Sequence, residues 1–172
     1  AGFVLINLEV LEIVLDGILG THRLFAPVLG NFYLVLINFF ELLAFGVLTV
    51  CIIFLIRRNI TKVNRLQPAQ HTELKGWPVK DANIILCIEI VLMLAILKMN
   101  AADSILQERG VDHYPQVGSF MISQFYKPIM EGFSTEFLIF IERACWWFHI
   151  IGIFAFMNYL PFSKHFHIIM AF

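Results

Sequence analysis

The sequence predicts an all-α membrane protein, a polytopic bundle of about four transmembrane helices. Of its 172 residues, 59% are hydrophobic and 15% are charged, whereas an average soluble domain has about 45–50% apolar and about 25% charged residues. Charged residues are also nearly absent from several long stretches, and about 20 helical residues cross a hydrocarbon layer about 30 Å thick. The apolar excess and its distribution therefore indicate helices that lie in a lipid bilayer.

Four apolar stretches are the predicted spans. They cover residues 1–19, 32–56, 84–99 and 137–160. Gly20 follows the first stretch, and glycine just after the last periodic residue favours the end of a helix. Pro161 follows the fourth stretch, and because proline lacks an amide donor it should bend or end that helix.

The loops between the spans differ in charge. The segment 57–83 holds six basic residues, whereas the segment 100–136 holds only Arg109 and Lys127 beside five acidic residues. Lys and Arg accumulate on the cytoplasmic side of membranes, so we place loop 57–83 in the cytoplasm and segment 100–136 outside. Within the outer segment, the apolar stretch 120–126 is too short to span the bilayer. It is expected to lie along the interface or to cap the bundle.

The chain 1–172 is predicted to be one membrane-embedded domain. It begins and ends inside apolar runs, with no initiator Met and no basic leader, so we expect an internal piece of a longer polypeptide. The net charge of −1 provides no electrostatic attraction for nucleic acid. The partner indicated by the composition is the lipid bilayer.

Two histidines define the candidate cofactor site. His149 and His167 lie 18 residues apart, which is about five helical turns, so one continuous helix would place both rings on one face about 27 Å apart. Neutral imidazole is an axial ligand of haem iron, and ionisable groups in a bilayer mark functional sites. The spacing therefore suits two haem sites, one near each side of the membrane. The alternative is that His149 hydrogen-bonds a neighbouring helix.

Residues before His149 suit the same cofactor. Trp146 and Trp147 are bulky enough to wall a macrocycle, and Arg143 is a suitable partner for haem propionates. The alternative for Arg143 is an ion pair with Glu142, its neighbour in the sequence.

A resemblance to a known family rests on the run NYLPFSKHFHI, residues 158–168. It resembles the end of the last membrane helix in the di-haem cytochrome b family that includes the respiratory nitrate reductase gamma subunit. It is still more similar to the membrane domains of heterodisulfide reductase-related iron-sulfur oxidoreductases, in which an aromatic-Ser-Arg/Lys-x-x-His motif follows an upstream histidine by this same interval. The matching residues are His149 and His167.

The resemblance implies a function as well as a fold. It implies one or two b-type haems with paired histidine ligands, and electrons that pass between quinone or quinol and a cytoplasmic iron-sulfur partner. That partner would be a separate protein or a C-terminal iron-sulfur domain. The expected location is the cytoplasmic (inner) membrane of a bacterium or archaeon, with other membrane subunits present.

The chain departs from this family in its first span. Family members carry two histidines associated with an early helix, and residues 1–19 contain none. His22 is the candidate partner of His149, while the partner of His167 is expected before Ala1. The other interpretation of Thr21-His22-Arg23 is an ordinary polar turn. Because Cys51, Cys87 and Cys145 have no ligand spacing, iron-sulfur clusters are expected in missing sequence or in another subunit.

Acidic residues inside the spans form a second candidate site. Glu9, Glu12 and Asp16 are spaced to line one stripe of the first helix, and Glu41 and Glu89 lie within the second and third spans. Acids at this depth face the bundle interior or a wet cavity, and they can relay protons. The alternatives are that they pair with Lys98, Arg143 or backbone donors, or that they lie nearer the membrane interface than these positions indicate.

Small residues in the spans predict where helices come close together. Gly17, Ala44 and Gly46 would each permit neighbouring helices to approach, as small residues do in membranes.

These observations predict a membrane subunit or domain of a quinone-linked oxidoreductase that conducts electrons through haem b. The rival prediction is a non-redox role, either as a membrane anchor or as an ion- or proton-conducting subunit that uses the acidic stripe.

Overall fold

The computed structural model describes residues 2–61 and 77–163, and its regular elements in these ranges are all helical. The α-helices are α1 (Gly2–Leu19), α2 (Ala26–Leu29), α3 (Asn31–Asn59), α4 (Trp77–Glu108), α5 (Lys127–Met130) and α6 (Thr135–Tyr159). Short 3-10 turns at Ser123–Tyr126 and Leu160–Phe162 precede α5 and follow α6.

Within the described ranges, three helices are long and apolar enough to cross a membrane, as expected of a multi-pass protein. They are Asn31–Asn59, Lys80–Glu108 and Thr135–Phe162. The predicted first span is also a helix, α1, but its 18 residues contain three carboxylates, and it is not among the three. The total of four spans therefore stays a prediction, as does the side of the membrane assigned to each loop.

The helix boundaries differ most from prediction at α4. This helix continues to Glu108, so the expected end at Met99 is wrong, and the first nine residues of the predicted outer segment are helical. The last turns of the helix contain polar residues that are buried: Asn100, Asp103 and Gln107. Because tertiary contacts bury them, the helix continues beyond the apolar stretch. The expected effect of Pro161 is confirmed, since α6 ends at Tyr159.

Helix α4 lies at the centre of the bundle and packs against both α3 and α6. One core cluster joins Leu97 of α4 to Leu48 of α3, and another joins Leu106 of α4 to Leu138 of α6. Apolar side chains on the opposite faces of α3 and α6, such as Val35 and Ile151, are exposed. Exposed apolar faces on long helices are suited to contact with lipid.

Glycine permits close helix approach at two places. A Cβ atom built on Gly17 would lie 2.6 Å from the Trp146 ring, and one built on Gly152 would lie 2.5 Å from Leu92 Cδ2. The expectation for Gly17 is confirmed. That for Gly46 is wrong, because a Cβ atom there would meet nothing within 4 Å.

The segment between α4 and α6 folds over one end of the bundle, which confirms the capping alternative for residues 120–126. Phe120 is buried against Tyr33 and Ile37 of α3. The Glu41 carboxylate accepts hydrogen bonds from the backbone amides of Ile122 (2.8 Å) and Ser123 (3.3 Å), and from the Ser123 hydroxyl. A buried acid of α3 thus anchors the cap.

Candidate functional site

The turn after α1 directs a positive charge into the bundle. Asp16 Oδ1 accepts hydrogen bonds from Thr21 Oγ1 (2.8 Å) and the Leu24 amide (3.0 Å), while Oδ2 accepts one from the Arg23 amide (2.8 Å). Arg23 has φ +57°, a left-handed conformation that is uncommon for residues other than glycine. The Asp16 carboxylate therefore stabilises this strained turn. The Arg23 side chain, which extends from the turn, is buried.

Arg23 forms a buried ion pair with Asp103 of α4. Its Nη2 and Nε atoms lie 2.6 and 2.9 Å from Asp103 Oδ2, and it also donates to Asn100 Oδ1 (3.1 Å) and Tyr33 Oη (3.3 Å). Burial alone would lower the pKa of the Arg23 guanidinium. The Asp103 carboxylate and the Tyr33 hydroxyl oppose burial and hold that pKa above its ordinary value.

His22 shares the same carboxylate. Its Nε2 atom lies 3.1 Å from Asp103 Oδ1, and its ring packs edge-on against Tyr114 with centroids 4.9 Å apart. The exposed ring of His113 lies 5.9 Å away, centroid to centroid. Binding of iron at His22 Nε2 would require release of Asp103, so the polar-turn interpretation describes the contacts seen. Haem ligation by His22 stays a prediction.

A small cavity of about 30 Å³ adjoins this network between α1, α3, α4 and α6. Its carboxylate lining comes from Glu9, Glu12, Asp16, Asp103 and Glu142. The predicted acidic stripe of α1 thus faces the bundle interior.

The five acids predicted as a proton relay do not form one group. Glu9, Glu12 and Asp16 line the cavity, whereas Glu41 is linked to it through Asn100, whose Nδ2 lies 3.2 Å from Glu41 Oε1. Glu89 is not part of the cavity lining. Backbone amides are partners of Glu12, Asp16 and Glu41, so the alternative of pairing with backbone donors describes these three.

His149 is buried on α6, with 4% of its surface exposed. Its Nδ1 atom lies 3.2 Å from the backbone carbonyl oxygen of Leu92 on α4. Because a carbonyl oxygen only accepts, Nδ1 carries the proton of the neutral ring and the free lone pair is on Nε2. The alternative of a hydrogen bond to a neighbouring helix is therefore seen, and it leaves Nε2 available as a ligand atom.

The aromatic and basic residues before His149 differ in where their side chains lie. Trp146 lies over Gly17 and lines the cavity, whereas Trp147 is 58% exposed. Arg143 is about half exposed, and its Nε atom lies 3.4 Å from Glu142 Oε2, as the ion-pair alternative anticipated. His167 lies outside the described residues.

Tyr114 connects the segment between α4 and α6 to Glu142. Its hydroxyl donates to Glu142 Oε2 over 2.9 Å. Burial, together with the neighbouring carboxylate, raises the pKa of the Tyr114 hydroxyl above its ordinary value. Tyr114 therefore remains a hydrogen-bond donor over the whole physiological pH range.

Four residues of this site were not predicted from the sequence: Arg23, Asn100, Asp103 and Tyr114. One signal was present: Arg23 and Asp103 carry opposite charges and follow the first and third predicted spans, which end on the same side of the membrane. In the described part of the chain, no group of three or more His, Cys, Asp and Glu side chains is arranged to hold a metal ion.

Comparison with known proteins relates the chain to part of a longer protein. No family model and no solved structure matches it. Over 171 residues the chain is 28% identical to the probable iron-sulfur-binding oxidoreductase FadF of Bacillus subtilis (strain 168). The chain is similar to part of an iron-sulfur oxidoreductase. The match covers 98% of this chain and 21% of FadF, so the chain spans about a fifth of that relative's length. Similarity to the nitrate reductase gamma subunit family stays a prediction.

Proposed function

We propose that this chain is a membrane electron conduit that binds b-type haem and passes electrons between quinone or quinol and an iron-sulfur oxidoreductase module. The observation that carries the proposal is the buried imidazole of His149, which is held at Nδ1 by the Leu92 carbonyl. The relative FadF is named as an iron-sulfur-binding oxidoreductase, which supports a redox role over a purely structural one.

The ligand chemistry of His149 suits haem iron. Metal-binding histidines commonly donate their other ring N–H to a carbonyl or carboxylate, which sets the tautomer and the ring orientation. Here α4 supplies that acceptor, and Gly152 lets α6 approach Leu92 closely enough for it. Arg143, half exposed beside Glu142, is the candidate partner for a propionate.

The described residues would supply only part of a haem site. The cavities at Glu12 and at Val14 measure about 30 and 10 Å³, whereas pockets for ligands of this size class occupy about 300 Å³ or more. We therefore assign the rest of the haem pocket to parts of the protein beyond residues 2–61 and 77–163, His167 included. When bound, the haem would supply reversible one-electron chemistry, and this chain would supply a buried and oriented ligand at His149.

The test is reduced-minus-oxidised spectroscopy on the full-length protein in membranes. We expect a b-type alpha band, and His149→Leu should remove the contribution of one haem because no other atom replaces Nε2. His113→Leu is the matched control, since His113 is an exposed loop histidine, and it should keep the spectrum. Purified wild-type protein without the band, or a folded His149→Leu variant with the full band, would contradict the proposal.

The second candidate function is a proton-conducting subunit. The acid-lined cavity favours it, because five carboxylates line a space of about 30 Å³. Proton flux through proteoliposomes that requires neither quinol nor haem would support this alternative. Flux that depends on quinol oxidation would support the electron conduit.

The proposal keeps the predicted topology of four spans, with loop 57–83 in the cytoplasm and segment 100–136 outside, in a bacterial or archaeal inner membrane. Single cysteines at exposed positions such as Asn59 and Asp112 should react with a membrane-impermeant reagent from opposite sides. Reaction of both from one side would overturn the topology.

A further inference from the structure

The cavity beside Arg23 has the size and the lining of a water site. It measures about 30 Å³, and a buried water needs about 10–15 Å³ together with two to four polar partners. Polar partners come from four helices: Glu12 of α1, Tyr33 of α3, Asn100 and Asp103 of α4, and Glu142 of α6. The space therefore suits about two water molecules.

The carboxylates of this cavity have further hydrogen-bonding capacity. An ionised carboxylate offers about four acceptor sites. Glu12 has two partners, the Phe25 amide at Oε1 and the Tyr33 side chain. Glu142 accepts a bond from Tyr114 at Oε2. Empty cavities in proteins are lined by apolar groups, whereas this one is lined by carboxylates and an amide, so water in the cavity is favoured over an empty space.

The cavity also extends from the bundle interior toward the surface. Glu12 is 95% buried, at 5% exposure, whereas Asp16 and His22 line the same cavity and are partly exposed. Glu9 lies almost one turn before Glu12 on α1, and it continues the acidic lining of this cavity along the helix.

We propose that this cavity is hydrated and that its waters, together with Glu9 and Glu12, carry protons between the bundle interior and the surface at the turn after α1. The proposal rests on the proposed function for its proton source, because oxidation of a quinol releases protons as well as electrons. Each transfer forms one O–H bond as another breaks. A carboxylate accepts one proton and gives one to the next water, and no electrons move along this path.

The hydration test is radiolytic hydroxyl-radical footprinting of the full-length protein, which oxidises side chains that touch bound water. Met99 lines the cavity and Met130 does not, yet their exposures are nearly equal, at 8% and 7%. We expect Met99 to be oxidised several-fold faster than Met130. Equal rates would overturn the proposal.

Ile13→Phe is the paired variant, because Ile13 lines the cavity and a larger ring would fill it. In this variant the oxidation rate of Met99 should fall to that of Met130. A rate that stays high would place the water elsewhere and overturn the proposal. Neither measurement needs haem, so both outcomes are independent of the redox assignment.

The proton-transfer test uses proteoliposomes with a pH indicator. We expect Glu9→Gln and Glu12→Gln to slow proton release during quinol oxidation several-fold, while Asp112→Asn, at an exposed loop position, keeps the wild-type rate. Unchanged release in both Gln variants would overturn the proton path. A wild-type protein that contains no haem, or that does not oxidise quinol, would instead overturn the proposed function.

Discussion

Arg23 and Asp103 form an ion pair that joins the turn after α1 to the centre of the bundle, with Arg23 Nη2 2.6 Å from Asp103 Oδ2. The two residues are 7% and 1% exposed, and Asn100 and Tyr33 bind the same guanidinium. Helix α1 itself packs mainly against α3 and α6, and His22 of the same turn also contacts Asp103. The pair therefore helps to hold the end of α1, with its acidic stripe, against the bundle.

The first prediction concerns the energy of the pair. Arg23→Met should destabilise the protein by about 3–5 kcal/mol, because removing one partner leaves a buried charge uncompensated. Thermal unfolding in detergent, followed by circular dichroism, measures the change. Arg23→Met combined with Asp103→Leu should recover much of the loss.

Lys127 and Glu108 provide the matched control, because Glu108 is 61% exposed in this second ion pair. Lys127→Met should cost about 1 kcal/mol or less. Equal losses for Arg23→Met and Lys127→Met would show that the buried pair has no special role.

The second prediction distinguishes structure from proton relay at Glu41. Because Glu41 accepts bonds from Ile122, Ser123 and Asn100, Glu41→Ala should release the cap at residues 120–126. Hydrogen–deuterium exchange should then rise in those peptides, with an overall loss of about 1–3 kcal/mol for each orphaned donor. Glu131→Ala, at an exposed position, should leave exchange unchanged. An unaltered cap in Glu41→Ala would leave the relay as the better role for this acid.

The third prediction concerns the close contact of α4 and α6. Gly152→Ala should destabilise the protein by about 1–3 kcal/mol, because the added methyl would overpack against Leu92. It should also reduce haem retention, since the Leu92 carbonyl orients His149. Gly46→Ala faces open space and should be neutral or stabilising by up to about 1 kcal/mol. A Gly152→Ala protein as stable as Gly46→Ala would mean that the contact is loose.

The fourth prediction follows from the raised pKa of Tyr114. Its folded-state pKa lies above that of an unfolded tyrosine, about 10, because burial and Glu142 disfavour the ionised form. The stability it contributes is therefore complete below pH 10 and is lost as the pH rises through the folded-state pKa.

Tyrosinate absorbance near 295 nm provides the measurement for Tyr114. In the folded protein at about pH 11, just above the pKa of an unperturbed tyrosine, Tyr114→Phe should remove little absorbance. In denaturant the same substitution should remove the full absorbance of one tyrosinate. An equal loss under both conditions would be inconsistent with the buried hydrogen bond.

Hydropathy predicted the long helices well because their lipid-facing and core-facing residues are both apolar. The predicted span 32–56 became α3 (Asn31–Asn59), and Pro161 correctly marked the end of α6. The end of α4 was missed for the opposite reason, since Asn100, Asp103 and Gln107 resemble loop residues in composition but are buried by tertiary contacts.

The candidate site was predictable only where it depends on helical spacing. The spacing of Glu9, Glu12 and Asp16 placed them on one stripe, and they do line one cavity. Arg23 and Asp103 lie 80 positions apart, and no local pattern connects them. The partner of His149 is a backbone carbonyl, which every residue possesses, so the sequence carries no mark of it.

The long separation between Arg23 and Asp103 has a consequence for biosynthesis. The positive member emerges from the ribosome 80 residues before the negative one, which at about 5–20 residues per second is a delay of about 4–16 s. A charged side chain is costly in hydrocarbon, so during that delay Arg23 should remain in the hydrated headgroup region. Helix α1 would then reach its final position only after the later helices have been inserted.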